Sequence, residues 1–417
     1  MHINKKLVIV CILLLGFVIV SCEKKPEKEV KRTMHNHSVY SDGVEYKDSY
    51  WEEPDYYYDN DKDRKDVNIK GLWIRSDYQG EESYFFSYLG IPNSEAESLP
   101  AVLLIHGGGG TAYWEWVKMW MDRGYVALAI DLEGHVPLTQ GNMSSMPLDL
   151  YENSPYSAPH NQNYEDAALP IEDTWMHYAT RSAIIANSFL HNLDYVDKYK
   201  IGVSGVSWGG IITSIITGYD DRFAFSIPIY CSLNQLDSDS TIAGYMKNNP
   251  EAEIWDNDTA LSKINTPTLF VASNIDIHAR LDSISKTYEN TKNSYLSVIE
   301  GLLHSQAHAA ALLEPYTFAD SIVKNNAFIT LKNQPDIEGS TVGFNVPKKV
   351  KIDKAYLFYT TDQISINMNW SKQRLVIDNN KIDYEVSSNW TAFYLTIIDN
   401  YGNRVSSKLI VRKEKEK

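Results

Sequence analysis

Cysteine is scarce in this chain: three in 417 residues, at Cys11, Cys22 and Cys231. With Cys11 and Cys22 assigned to the leader region below, Cys231 stands alone and no internal disulfide is possible. Positive charge is short as well. Lys and Arg number 39 against 54 Asp and Glu, a formal charge of -15, which makes nucleic acid and anionic lipid surfaces poor partners. Long apolar runs are missing too: Leu7 to Val20 holds 14 residues, where about 20 are needed to cross a bilayer. There are no internal repeats. Hydrophobic residues at 43%, with 12% aromatic, rule out a disordered chain and are ample for one large α/β core plus a smaller domain.

The first residues read as a targeting segment, with Lys5 and Lys6 ahead of the apolar run and Ile19, Val20, Ser21, Cys22 after it. That ending resembles a bacterial lipoprotein cleavage box. It implies a signal peptide over 1–21 and acylation of Cys22 as the first mature residue, and so a lipid-anchored protein of the periplasm or outer-membrane surface. Cleavage would remove two lysines and leave a formal charge of -17. From 22 to 66 the chain is acidic and tyrosine-rich without apolar period, as in Tyr56, Tyr57, Tyr58 followed by Asp59 to Asp63, and reads as a tether. Within it, His35 to Gly43 looks like the first metal motif of the polymerase and histidinol phosphatase family. The further His, Asp and Glu ligands of that family cannot be placed, so no metal and no cofactor is expected.

From Val67 the reading becomes regular. Strands are expected at Asn68 to Ser76, Ser83 to Gly90, Ala101 to Ile105, Tyr125 to Ile130, Lys200 to Val203, Phe223 to Tyr230, Thr268 to Ala272 and Tyr295 to Ile299. Helices are expected from a Thr111 cap to a Gly124 stop and over Glu172 to Leu193. Unbroken apolar strands alternating with helices mean a doubly wound, mostly parallel sheet, which binds ligands at the carboxyl ends of its strands. A doubly wound α/β domain over 67–335 is the result. Beyond it, short strands at Ala355 to Tyr359, Leu375 to Ile377, Phe393 to Ile398 and Val405 to Val411, with a turn at Asp399 to Asn403, predict a small Ig-like β-sandwich over 336–417.

Gly205, Val206, Ser207, Trp208, Gly209, Gly210, placed between a strand and a helix, form a nucleophile elbow. A serine hydroxyl is a weak nucleophile and needs a base, which in turn needs an orienting group. The chain order in this architecture is serine, acid, histidine. Asp276, in the loop after the Thr268 to Ala272 strand, fits the acid better than Asp282, which falls in a helix beginning near Leu281. His304, after the last strand, fits the base, with His308 four residues on as the rival. The oxyanion hole takes one backbone N–H from Trp208 by position and a second from Gly107 to Gly110, either Gly108 or Gly109. His106 is read as shaping that loop, His135 and His278 as structural or substrate-lining.

With these residues in place, Ala101 to Gly110, Gly124 to Asp131, Gly202 to Gly210 and Asp276 to His304 resemble the acetylxylan esterase and dienelactone hydrolase group of α/β-hydrolases. LLIHGGGGTAYWEWVKMW and IGVSGVSWGG carry most of the likeness, which spans roughly residues 67 to 330. It implies Ser207 as nucleophile, Asp276 as acid, His304 as base, and removal of small acyl groups, often acetyl, from polysaccharides. Two departures are visible. The His-Gly-His segment common in relatives is here His304, Ser305, Gln306, Ala307, His308, and the cysteine nucleophile of true dienelactone hydrolases is a serine.

An acylated carbohydrate is thus the expected substrate partner. Trp114, Trp116, Trp120 and Trp175 fall near the presumed cleft, where an aromatic face suits a sugar ring, although most tryptophans are core. Two other readings compete: a prolyl oligopeptidase-like peptidase, which would carry propeller repeats that are absent ahead of residue 67, and a non-catalytic glycan-binding lipoprotein acting through the sandwich.

Overall fold

The structure, a computed structural model, describes residues 44–412 apart from 146, 157, 161 and 162. The leader with Cys11 and Cys22, the His35 to Gly43 fragment and the start of the expected tether lie outside the described residues. Eleven strands precede the C-terminal region: β1 Tyr56–Tyr58, β2 Ile69–Tyr78, β3 Glu81–Gly90, β4 Leu99–Ile105, β5 Val126–Ile130, β6 His135–Pro137, β7 Tyr151–Asn153, β8 Val196–Val206, β9 Phe225–Ile229, β10 Thr268–Ser273 and β11 Ser294–Ile299. The helices are α1 Trp114–Met121, α2 Pro147–Leu150, α3 Trp175–His191, α4 Trp208–Tyr219, α5 Thr241–Asn248, α6 Thr259–Lys263, α7 Leu281–Asn290, α8 Gln306–Ala310 and α9 Glu314–Val323.

Nine strands form one sheet in the order β1-β2-β3-β5-β4-β8-β9-β10-β11. The six from β5 to β11 run parallel and β1 to β3 antiparallel. Parallel strands must be covered on both faces, and the burial shows it: every residue of β5, β9 and β10 is buried. Helices α4 and α9 both pack on β8 and β9. This is the α/β-hydrolase fold.

Helix α1 begins at Trp114 with Tyr113 in the cap position, two residues later than the expected Thr111 cap; Thr111 is buried and supplies no cap hydrogen bond. Helix α3 starts at Trp175, where the Thr174 hydroxyl accepts from the His177 N–H. The tether ends sooner than 66. Val44, Tyr46 and Tyr50 are buried in the core, the Tyr46 hydroxyl donates to Thr180 Oγ1 at 2.7 Å, Ser188 Oγ donates to the Tyr50 carbonyl, and β1 adds an edge to the sheet. With that covering, α3 is buried along its whole length apart from its last residue, His191.

The C-terminal strands are β12 Thr330–Leu331, β13 Thr341–Asn345, β14 Ile352–Thr360, β15 Ser371–Arg374, β16 Lys381–Asp383, β17 Ala392–Asp399, β18 Arg404–Ser406 and β19 Ile410–Val411. They form two sheets, β12-β13-β16 and β15-β14-β17-β18 with β19 on β17, closed over a shared core of Val342, Phe344 and Ile382 against Leu357, Phe393, Leu395 and Ile397. The strand expected at Leu375 to Ile377 is displaced: pairing with β14 uses the polar Ser371–Arg374 instead. Against β11, the Val298 N–H donates to Ser406 Oγ at 3.0 Å, and the buried Glu314 carboxylate accepts from the Arg404 N–H and guanidinium at 3.1 and 2.8 Å.

Candidate active site

Ser207 follows β8 with φ 57° and ψ -118°, a conformation rare for a non-glycine residue, and its side chain is thereby raised above the sheet end. The surrounding glycines are sterically required. A methyl group on Gly205 would collide with the Gly209 carbonyl and Thr213 Oγ1, one on Gly209 with the Ile105 and His106 carbonyls, and one on Gly210 with the Cys231 and Ile229 carbonyls at 2.8 and 2.9 Å. The elbow therefore fits its two flanking strands only as Gly-x-Ser-x-Gly-Gly. Buried Cys231 lies behind the serine, and burial pushes its thiol well up, so it stays uncharged.

His304, after β11, places Nε2 2.7 Å from Ser207 Oγ and Nδ1 2.6 Å from Asp276 Oδ2. With the Nδ1 proton given to the carboxylate, Nε2 is left to accept the serine proton. Asp276, after β10, has a fully buried side chain and accepts the His278 and Ala279 N–H groups at 2.8 and 3.3 Å, which fixes its orientation. Asp282 sits in the first turn of α7 beside Arg280, away from the imidazole. His308 is turned aside: its Nδ1 lies 2.7 Å from Ser305 Oγ, which caps α8. The structure brings Ser207, His304 and Asp276 together and leaves Asp282 and His308 out.

The Gly107 to Gly110 loop, after β4, faces the serine. Trp208 opens α4, so its N–H has no partner inside the helix. Gly108 makes no backbone hydrogen bond among the described residues, whereas the Gly109 N–H is spent on Glu133, at 3.1 and 3.0 Å from its two carboxylate oxygens. Of the two expected glycines, Gly109 is corrected: a carboxylate from the end of β5 already holds its amide. His106 donates from Nδ1 to the Gly107 carbonyl at 2.7 Å while its Nε2 accepts the Leu132 N–H, and His135 lies 2.6 Å from the Gly110 carbonyl. Both histidines tie down the loop. His278 instead lines the cleft, its imidazole held below its ordinary range by burial and by neighbouring His304.

A cleft of about 570 Å³ opens over Ser207, walled by Tyr113, Glu133, Trp208, Tyr245, His278 and Gln306 among others. None of the four tryptophans expected near it is among its walls: Trp116, Trp120 and Trp175 are core, and Trp114 packs under the Arg64 guanidinium. Glu133, Gln306 and Tyr230 went unnoticed in the sequence. Tyr230, at φ 70° just after β9, donates its hydroxyl to the Leu303 carbonyl at 2.6 Å and stacks on His304.

Fold and site together define the class: an α/β-hydrolase fold with a serine, histidine and aspartate in hydrogen-bonded series at the carboxyl ends of its strands. Its architecture is similar to that of solved esterases. The acetyl xylan esterase from Paenibacillus sp. R4 shares 19% identity over 65% of this chain and 89% of that one, with a TM-score of 0.47. Acetyl Xylan Esterase 1 from Thermoanaerobacterium sp. JW/SL YS485 shares 15% over 61% and 86%, TM-score 0.46. A carbohydrate esterase family 15 glucuronoyl esterase from Caldicellulosiruptor kristjansonii shares 11% over 68% and 81%, TM-score 0.44. No family model and no curated protein sequence matches the chain. A likeness of this degree leaves the chemistry to this chain's own residues.

Proposed function

We propose that the protein is a serine esterase that removes acetyl or similar small acyl groups from carbohydrate through an acyl-enzyme. One observation carries the reading: the unbroken series Ser207 Oγ, His304 Nε2, His304 Nδ1 and Asp276 Oδ2, with separations of 2.7 and 2.6 Å. In the proposed cycle Ser207 attacks the ester carbonyl while His304 takes its proton, and Asp276 stabilises the imidazolium. The N–H groups of Trp208 and Gly108 meet the oxyanion. Collapse of the tetrahedral adduct returns the proton from His304 to the departing alcohol oxygen. Water, deprotonated by His304, then releases the acid and restores Ser207.

The carbohydrate side of the reading is supported by the sequence resemblance over 67–330 and by a cleft whose walls mix aromatic rings with hydrogen-bonding groups. Anchoring through an acylated Cys22 rests on the Leu7 to Cys22 sequence alone. The experiment is hydrolysis of para-nitrophenyl acetate by the wild type and by Ser207→Ala, then acetate release from a panel of acetylated polysaccharides. Wild-type turnover and an inert Ser207→Ala are expected. Equal rates for the two proteins would remove the catalytic reading, and turnover of peptides without acetate release from any glycan would replace esterase by peptidase.

A further inference from the structure

Four consecutive glycines leave their amides little steric guidance, so hydrogen bonds must decide which of them face the cleft. The Gly107 N–H donates to Gln306 Oε1 at 3.4 Å and the Gly110 N–H to the Gly107 carbonyl at 3.1 Å. The Gly109 N–H is shared between both oxygens of Glu133. Three of the four amides are thus committed, and Gly108's is the one without an acceptor among the described residues. It sits in the cleft wall with Ser207 and Trp208.

The acceptor for Gly109 is itself held firmly. Glu133 is only 4% exposed and lies in Asp131, Leu132, Glu133, Gly134, His135, a turn at the end of β5. Asp131 Oδ2 accepts the His135 N–H at 2.8 Å, Leu132 donates to His106, and Gly134 has φ 68°. That turn therefore grips the glycine loop at Gly109 through Glu133 and at Gly110 through His135.

We propose that Glu133 is a positioning residue of the oxyanion hole: by holding the Gly109 amide on its own carboxylate it fixes the loop so that, of the four glycine amides, Gly108's faces the scissile carbonyl beside that of Trp208. The proposal rests on the serine-esterase reading of Ser207. Gly109, at φ 70° with open space where a side chain would lie, is free to turn its peptide once its acceptor is gone. The Gly108 donor would then lose its fixed direction. The charge of Glu133 is no help to the reaction, since a negative group beside a developing oxyanion opposes it. What the site uses is the acceptor at that reach.

The variants Glu133→Gln, Glu133→Asp and Glu133→Ala separate these roles when kcat and KM for para-nitrophenyl acetate are measured per serine titrated with a phosphonate, so that misfolded molecules are not counted. Glu133→Gln keeps the acceptor without the charge and should match or exceed the wild-type kcat. Glu133→Asp keeps the charge but withdraws the acceptor by one methylene. It and Glu133→Ala should lose about 10- to 100-fold in kcat with KM within about two-fold, less than the ~10²–10³ cost of deleting an oxyanion donor outright. Aspartate tracking the wild type while glutamine falls, or all three variants matching the wild type per titrated serine, would overturn the proposal while leaving the esterase standing. An inert wild type would instead take away the reading on which it rests.

Discussion

The Tyr230 ring lies on the His304 imidazole, ring centres 4.6 Å apart and 28° from parallel, while the Tyr230 hydroxyl donates to the carbonyl of the preceding residue, Leu303, at 2.6 Å. One side chain at the end of β9 thus supports both the face and the backbone of the base. Tyr230→Phe keeps the ring and deletes the tether. A hydrogen bond of about 1 kcal/mol corresponds to roughly a five-fold fall in kcat, read with para-nitrophenyl acetate, provided the tether acts on His304 placement. An unchanged kcat with a lowered Tm would assign the bond to stability alone.

The two histidines of the His304 to His308 segment should behave oppositely. His304→Ala removes the acceptor of the serine proton and should lower kcat by about 10³ or more. His308→Ala disturbs only the contact with Ser305 and should stay within about two-fold of the wild type by the same comparison. The reverse ranking would exchange their roles.

Gly209 is closed in by the Ile105 and His106 carbonyls. Gly209→Ala forces β4 and α4 apart, and the expected loss is about 3 kcal/mol of stability, measured by chemical unfolding. A fully stable variant would show that the elbow has room that its geometry denies.

Two buried groups should oppose one another in acid. Burial pulls His177 down to about 4 although the Glu45 carbonyl favours its charged form, and burial pushes Asp256 up to about 6 although the Leu236 and Gln235 amides favour its carboxylate. The His177 contribution is complete above its unfolded value of 6.5 and is lost as pH falls through about 4. That of Asp256 is complete below 3.8 and is lost as pH rises through about 6. Each is worth about 3 kcal/mol at full extent. The pair therefore largely cancels in the wild type between pH 4 and 6. Unfolding of His177→Gln should show stability falling as pH rises across that window, and Asp256→Asn the opposite slope. Parallel slopes in the two variants would contradict the assignment.

Glu314 is fully buried and takes its charge partner from the sandwich, at Arg404. Arg404→Ala strands that carboxylate and should cost about 3 kcal/mol, seen as a lowered midpoint for loss of esterase activity as well as for loss of β-structure. Unfolding of the sandwich with full retention of activity would show that the pair does not couple the two.

The elbow was legible because its steric demands are local: the same few residues that clash are the ones that appear as glycine. Asp276 and His304 followed from strand ends in chain order. The choice between His304 and His308 turned on where α8 begins, at the Ser305 cap, a boundary that five residues of sequence do not mark. Gly108 and Gly109 were inseparable because the decision is made by Glu133, 24 positions away at another strand end. The burial of Tyr46 and Tyr50 was hidden by acidic neighbours and by a 3₁₀ turn, Asp48–Trp51, too short to show a period. In the sandwich, β15 escaped notice because Ser371–Arg374 is exposed throughout and carries no apolar alternation.

Three strand edges of the pleated layers are blunted. The long sheet stops at one side in a three-residue ribbon, β1, and at the other is shielded by β18; the larger sandwich sheet ends in β15, which bears Lys372 and Arg374. Recruiting a strand from a neighbouring molecule would find either too little backbone or a row of cations. Pairing of copies through these strand edges is therefore disfavoured.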